Sequence, residues 1–175
     1  MATCGERGLG QRSLRDIAVE TGTSHRMLIH HYGSREGLLV AVVQEVEARQ
    51  AAIAGVLAAE TDDVLTAMWE HLSDPALRAS ERLFFECYAR AANGEQPFDR
   101  LLPDVVDAWL RPASPGAVDP DPALTRLTLA VVRGLLLDLV ATGSGAETTA
   151  ALHRFAALVR AAHPTGGVVP VGQES

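Results

Sequence analysis

Apolar residues recur at helical spacing along nearly the whole chain, and no segment alternates in the two-residue period of a half-buried strand. Leu14, Ile17 and Ala18 give a short first helix one apolar side; Ser13-x-x-Asp16 has the form of a capping box at its start, and Gly22 stops it. Ser24 caps a second helix, on which Leu28 and Tyr32 share its face while His25, Arg26, Ile29 and His30 point elsewhere. Gly33 ends that helix and Ser34 caps a third, which runs to about Ala59 with Leu38, Val42, Val46, Ile53 and Leu57 inward. Further helices are predicted over 62–72, 75–92, 97–110, 123–141 and 146–162, with Pro75 in a first turn and Asn93-Gly94 as a break. A proline-rich loop over 112–122 suits neither helix nor strand, and the tail from Pro164 is expected to fray. The fold class is all-α.

Composition narrows the class. The 175 residues carry a net charge of −7, and all 15 basic residues are arginine. An acidic balance argues against a generic nucleic-acid coat. Its distribution matters more: residues 1–35 hold Arg7, Arg12, Arg15, Arg26 and Arg35 against Glu6, Asp16 and Glu20, and most of the acid lies further on. A cationic end on an acidic body orients a molecule toward phosphates. Cys4 and Cys87 are too few for a disulfide framework or a zinc site, so a buried or free thiol is expected. No signal peptide is present, and the longest apolar stretches are interrupted by Arg133 and Asp138, which predicts a cytoplasmic protein with no membrane partner. His30-His31 lacks the spacing that puts two metal ligands on one helix face. No nucleophile elbow, Walker loop or dinucleotide fingerprint appears, so neither catalysis nor a cofactor is expected.

Two short capped helices joined by a glycine turn form a helix-turn-helix. The second presents cationic, imidazole and hydrogen-bonding side chains, and an α-helix fits the major groove, where base edges offer donors and acceptors. Spacing alone serves equally for a surface hairpin whose polar face is merely solvated. The residue string changes the balance. Gly22-Thr23-Ser24-x-x-x-Leu28-Ile29-x-His31-Tyr32-x-Ser34-Arg35-Glu36-x-Leu38 resembles the G-V-S-x-x-x-L-Y-x-H-F-x-S-K-E-x-L pattern of the TetR family of bacterial repressors. Ser13-Leu-Arg-Asp-Ile-Ala18 resembles that family's second helix.

The resemblance implies a homeodomain-like helix-turn-helix domain over 1–45, a helical ligand-binding and dimerisation domain over 46–163, and a flexible tail over 164–175. It makes Ser13 and Ser24 phosphate contacts from helix N-termini. His25, Arg26, Met27 and His30 then face bases or nearby backbone, with Arg26 able to fork onto a guanine and Met27 to touch a thymine methyl. His31 and Arg35 match residues that grip phosphate or brace the helix, and Tyr32, in place of phenylalanine, fills the small core beneath. Three features depart from the pattern. Ile29 replaces a tyrosine that reaches phosphate, Thr23 replaces a buried valine, and residues 1–7 supply only the last turns of the family's first helix. A shortened first helix implies a start further upstream or an incomplete domain, with Leu14, Ile17, Leu28 and Tyr32 left exposed.

Two apolar stripes on the last helices serve equally as core or as interface: Leu124, Leu127, Val131 and Leu135, then Leu152, Phe155, Ala156 and Val159. The resemblance favours the interface, since the family pairs these helices into a homodimer, and a two-fold dimer reads two half-sites of double-stranded operator DNA. Met68, Trp69, Leu72, Phe84, Phe85, Tyr88 and Trp109 are the candidate lining of a pocket for an unidentified, mainly apolar small-molecule effector, although bulky residues at this spacing also fill ordinary cores. Glu86 and Arg90 are spaced to pair on the surface. The function expected is a repressor released from its operator by a small apolar ligand. The alternative is a small-molecule-binding helical dimer that no longer binds DNA.

Overall fold

The computed structural model describes residues 13–20, 22–110 and 121–162, and those residues contain helices and turns but no strand. Cys4, the loop residues 111–120 and the tail from 163 lie outside the described residues, as does the shortened first helix expected over 1–7. Among the described residues eight α-helices follow in order: α1 (Leu14–Glu20), α2 (His25–Tyr32), α3 (Arg35–Glu60), α4 (Val64–Leu72), α5 (Arg78–Ala92), α6 (Leu101–Leu110), α7 (Pro122–Thr142) and α8 (Gly145–Ala162).

Local chemistry sets most boundaries. The Ser13 hydroxyl accepts from the Asp16 N–H at 3.3 Å while the Asp16 carboxylate accepts from the Ser13 N–H at 3.1 Å, a reciprocal cap that satisfies two otherwise unpaired donors. Ser24 accepts from the Met27 N–H at 3.2 Å and Ser34 from the Gly37 N–H at 3.0 Å. Gly33 takes a φ of +72° to reverse the chain between α2 and α3. Pro75 opens a 3₁₀ turn, Pro75–Leu77, before α5, and Phe98–Arg100 forms another before α6, so the helix expected over 97–110 starts four residues later. Pro122, expected in the loop, is instead the first residue of α7. At that position its missing N–H removes nothing, and Asp121 caps the helix by accepting from the Leu124 N–H at 3.0 Å.

Three apolar clusters hold the helices together. Leu14, Ile17, Ala18, Leu28 and Leu38 bury α1 and α2 against the start of α3. Leu39 and Val43 meet Leu83, Phe84, Cys87, Phe98, Leu101 and Val105 from α5 and the α6 region. Met68, Trp69 and Leu72 of α4 meet Leu136 and Leu139 of α7 and Leu152 of α8, and the Trp69 indole N–H donates to Thr149 Oγ1 at 2.9 Å. Leu14, Ile17 and Leu28 are therefore buried, not exposed, because Leu38 and Val42 of α3 close over them. Tyr32, expected from the resemblance to fill the small core beneath α2, does not. At the last position of α2 the residue is 40 % exposed, while its carbonyl turns back to accept the Ser34 N–H at 2.8 Å.

α3 is the long connecting member. It runs unbroken through the boundary expected at residue 45, so its first turns belong to the N-terminal cluster and its later turns to the body. Its buried positions are Leu38, Leu39, Val43, Glu47 and Gln50, a stripe rotated from the one expected through Val42, Val46 and Ile53, which are only half-buried. A carboxylate and an amide thus occupy inward positions. Their partners come from distant helices.

Candidate functional site

α2 is anchored by one buried side chain, Leu28, and its remaining side chains face outward. Ser13, Ser24, His25, Arg26, Met27, His30 and His31 are all exposed, and they cluster on one short helix and the turn before it, apart from Ser13 at the start of α1. His30 and His31 stand edge to face with ring centres 5.5 Å apart. Arg35 differs from the others: it is half-buried, and its guanidinium lies 3.7 Å from the Glu36 carboxylate. Exposed donors on a groove-sized helix, with capped N-termini at Ser13 and Ser24, can bond base edges and phosphate oxygens. Ile29 is also exposed and offers apolar surface only.

A cavity of about 340 Å³ lies between α3, α4, α5, α6 and α7. Six of the expected lining residues border it: Met68, Trp69, Leu72, Phe84, Phe85 and Trp109. Tyr88 does not. It faces a separate surface groove with Val106, Ala130, Gly134 and Leu137, where Arg133 lies 5.7 Å above its ring. Leu124, expected at an interface, lines the cavity beside Thr125 and Thr128.

The unexpected part of the cavity is polar. Glu47 Oε2 accepts from the Trp109 indole at 2.9 Å and from Arg133 at 3.5 Å, and Arg133 also lies 5.2 Å from the centre of the Phe84 ring. Glu81 Oε1 accepts from Gln50 Nε2 at 2.8 Å. Burial raises both acids: Glu47 above its ordinary range, against the opposing pull of Trp109 and Arg133, and Glu81 to about 7. For Glu81 the Gln50 hydrogen bond opposes the rise, the Glu47 charge adds to it, and the Arg133 charge offsets part. Sequence periodicity could not have found this group. The one usable signal was the interruption of an apolar run by Arg133.

The stripe expected at a dimer interface divides. Leu152 and Ala156 are 0 % and 2 % exposed within one chain, so they are core and leave no surface for a partner. On α7 Leu127 of the expected line is exposed, together with Arg126, Ala130, Gly134, Leu137, Asp138 and Ala141, while Leu124, Val131 and Leu135 are half-buried. Phe155 and Val159 are half-buried on α8, where Leu158 is a large exposed apolar residue. The surface pair at Glu86 is also replaced: Arg90 hydrogen-bonds Glu95 through Nε at 2.9 Å and stacks 4.0 Å over the Phe98 ring. Cys87 is fully buried, and burial pushes its thiol up to about 11, as an inert structural cysteine requires.

Among the described residues no group of His, Cys, Asp and Glu could hold a metal, and no helix is long and apolar enough to cross a membrane. Residues 1–42 match the family described as bacterial regulatory proteins, tetR family. The match takes in α1, α2 and the first turns of α3; the helices around the cavity follow it. No curated protein and no solved structure matches the chain.

Proposed function

We propose that the chain is a homodimeric DNA-binding repressor released from operator DNA by a small, mainly apolar molecule, a reading supported by the match of residues 1–42 to the tetR family of bacterial regulatory proteins. One observation carries this reading: α3 begins under the exposed helix α2 and runs on along the cavity, to which it contributes Glu47, Gln50 and Ala54. An occupant of the cavity bears directly on the helix that supports the DNA-facing surface. Arg26 reads a base edge, with His25, Met27 and His30 beside it, while Ser13, Ser24, His31 and Arg35 serve phosphates.

The partner copy docks on the outward face of α7, with Leu158 of α8 contributing apolar surface. Two copies space two α2 helices to match half-sites one helical turn apart, about 34–36 Å. Ligand tilts α3, alters that spacing and lowers DNA affinity, and by linkage DNA lowers ligand affinity equally. The regulator is no enzyme, needs no cofactor and works in the cytoplasm.

A gel-shift titration of the DNA upstream of its own gene tests the reading. Binding should weaken linearly in log–log against salt, with a slope near −0.9 per phosphate neutralised. Absence of any shift favours instead a helical ligand-binding dimer that no longer binds DNA. A ligand that binds tightly yet leaves operator affinity unchanged sinks the release mechanism.

A further inference from the structure

The cavity walls are mostly apolar, with Gln50, Thr125 and Thr128 among them, and three ionisable side chains meet there: Glu47 from α3, Glu81 from α5 and Arg133 from α7. Two carboxyls face one guanidinium. Arg133 is engaged with Glu47 and with the Phe84 ring, and Trp109 donates to the same Glu47 oxygen. Glu81, 3 % exposed, has a neutral amide, Gln50, as its hydrogen-bond donor. One buried acid therefore sits in the cavity wall without a cation of its own. An anionic ligand would have to take Arg133 from Glu47 while facing Glu81. A neutral ligand leaves Glu81 without a cation whenever that carboxyl ionises.

We propose that the effector is a cationic apolar molecule, an aromatic or aliphatic body bearing one positively charged nitrogen, and that Glu81 receives that nitrogen. The proposal rests on the ligand-binding reading above and specifies its chemistry. Phe84, Phe85 and Trp109 line the same cavity and are aromatic rings, to which a cation is attracted. Burying an ion pair ordinarily fails to gain much, because both charges lose water. Here folding has already desolvated the carboxyl, so only the ligand's own hydration is lost on entry.

A matched set of fluorescent probes of one ring size tests this in the intact protein: N-methylacridinium, neutral acridine and acridine-9-carboxylate, titrated at pH 8. The cation should bind about tenfold or more tighter than acridine, as a charge-assisted contact gives, and the carboxylate should bind most weakly. In Glu81→Gln, whose amide oxygen can still accept from Gln50, acridine binding should persist and the preference for the cation should fall to within about twofold. In Glu47→Gln the released Arg133 should narrow the gap between cation and anion by about tenfold. Lowering the pH from 8 to 6 should weaken N-methylacridinium binding to the wild type, since Glu81 titrates near 7 between Glu47 and Arg133, and should leave Glu81→Gln unchanged. Thermal melts of both variants verify their folding. Acridine bound as well as the cation, or the anion preferred, overturns the proposal while leaving an effector pocket in place. If none of the three probes binds, the proposal and the pocket reading both fall.

Discussion

The Glu81 carboxyl is held neutral in the fold over a pH range in which it would ionise in the unfolded chain. Its folded value of about 7 lies above the ordinary value of 4.5, so the folded state holds the proton more tightly. The stabilisation is therefore fully present below pH 4.5 and is lost as pH rises through 7, by on the order of 3 kcal/mol. Urea melts of wild type against Glu81→Gln should show the wild type losing stability relative to the variant across that window. A constant difference would refute the buried-acid account. At the other end of the molecule, Arg26→Ala should cost about 1–3 kcal/mol of operator binding and relax discrimination at one base pair. Ser24→Ala should instead weaken the cap of α2 by about 1 kcal/mol and lower affinity evenly across sequences. A scan of single-base operator variants separates the two.

At the scale of elements, what was legible in the sequence was local. Ser13 with Asp16, Ser24, Ser34, Gly22 and Gly33 set helix ends through contacts within three or four residues, so their pattern could be read directly. The polar part of the cavity wall was not legible, because Glu47 meets Trp109 and Arg133 across 62 and 86 positions of chain, and no periodicity reports such pairs. α7 misled for another reason. It is apolar on nearly every side, so several stripes fit its sequence and packing alone selects Leu136 and Leu139 as inward. One element-level constraint lies at the α2–α3 junction. A Cβ on Gly37 would fall on the Tyr32 carbonyl, which the backbone cannot yield without moving α2 against α3. Gly37→Ala should therefore destabilise the N-terminal cluster by at least about 2 kcal/mol and cut DNA binding, while ligand binding in the body persists. Normal operator affinity in that variant would show the junction to be pliable.

At the scale of the whole molecule, affinity for DNA depends on two copies acting together. Leu137 is half exposed in one chain, so Leu137→Glu should leave the fold intact, yield monomers in sedimentation and weaken operator binding by about a hundredfold or more as the second half-site is lost. A dimer that survives this change would move the interface off the outward face of α7. The unbroken course of α3 carries a further consequence. Its 26 residues make the reading head and the cavity parts of one rod, so their relation is an angle as well as a distance. Adding a single residue midway, near Val46, would advance the far end by only about 1.5 Å but turn it by roughly 100°. The phase of one helix would thus decide which way α2 faces relative to the cavity and the partner copy, and a head exchanged between relatives would have to be joined in register to be answerable to the ligand.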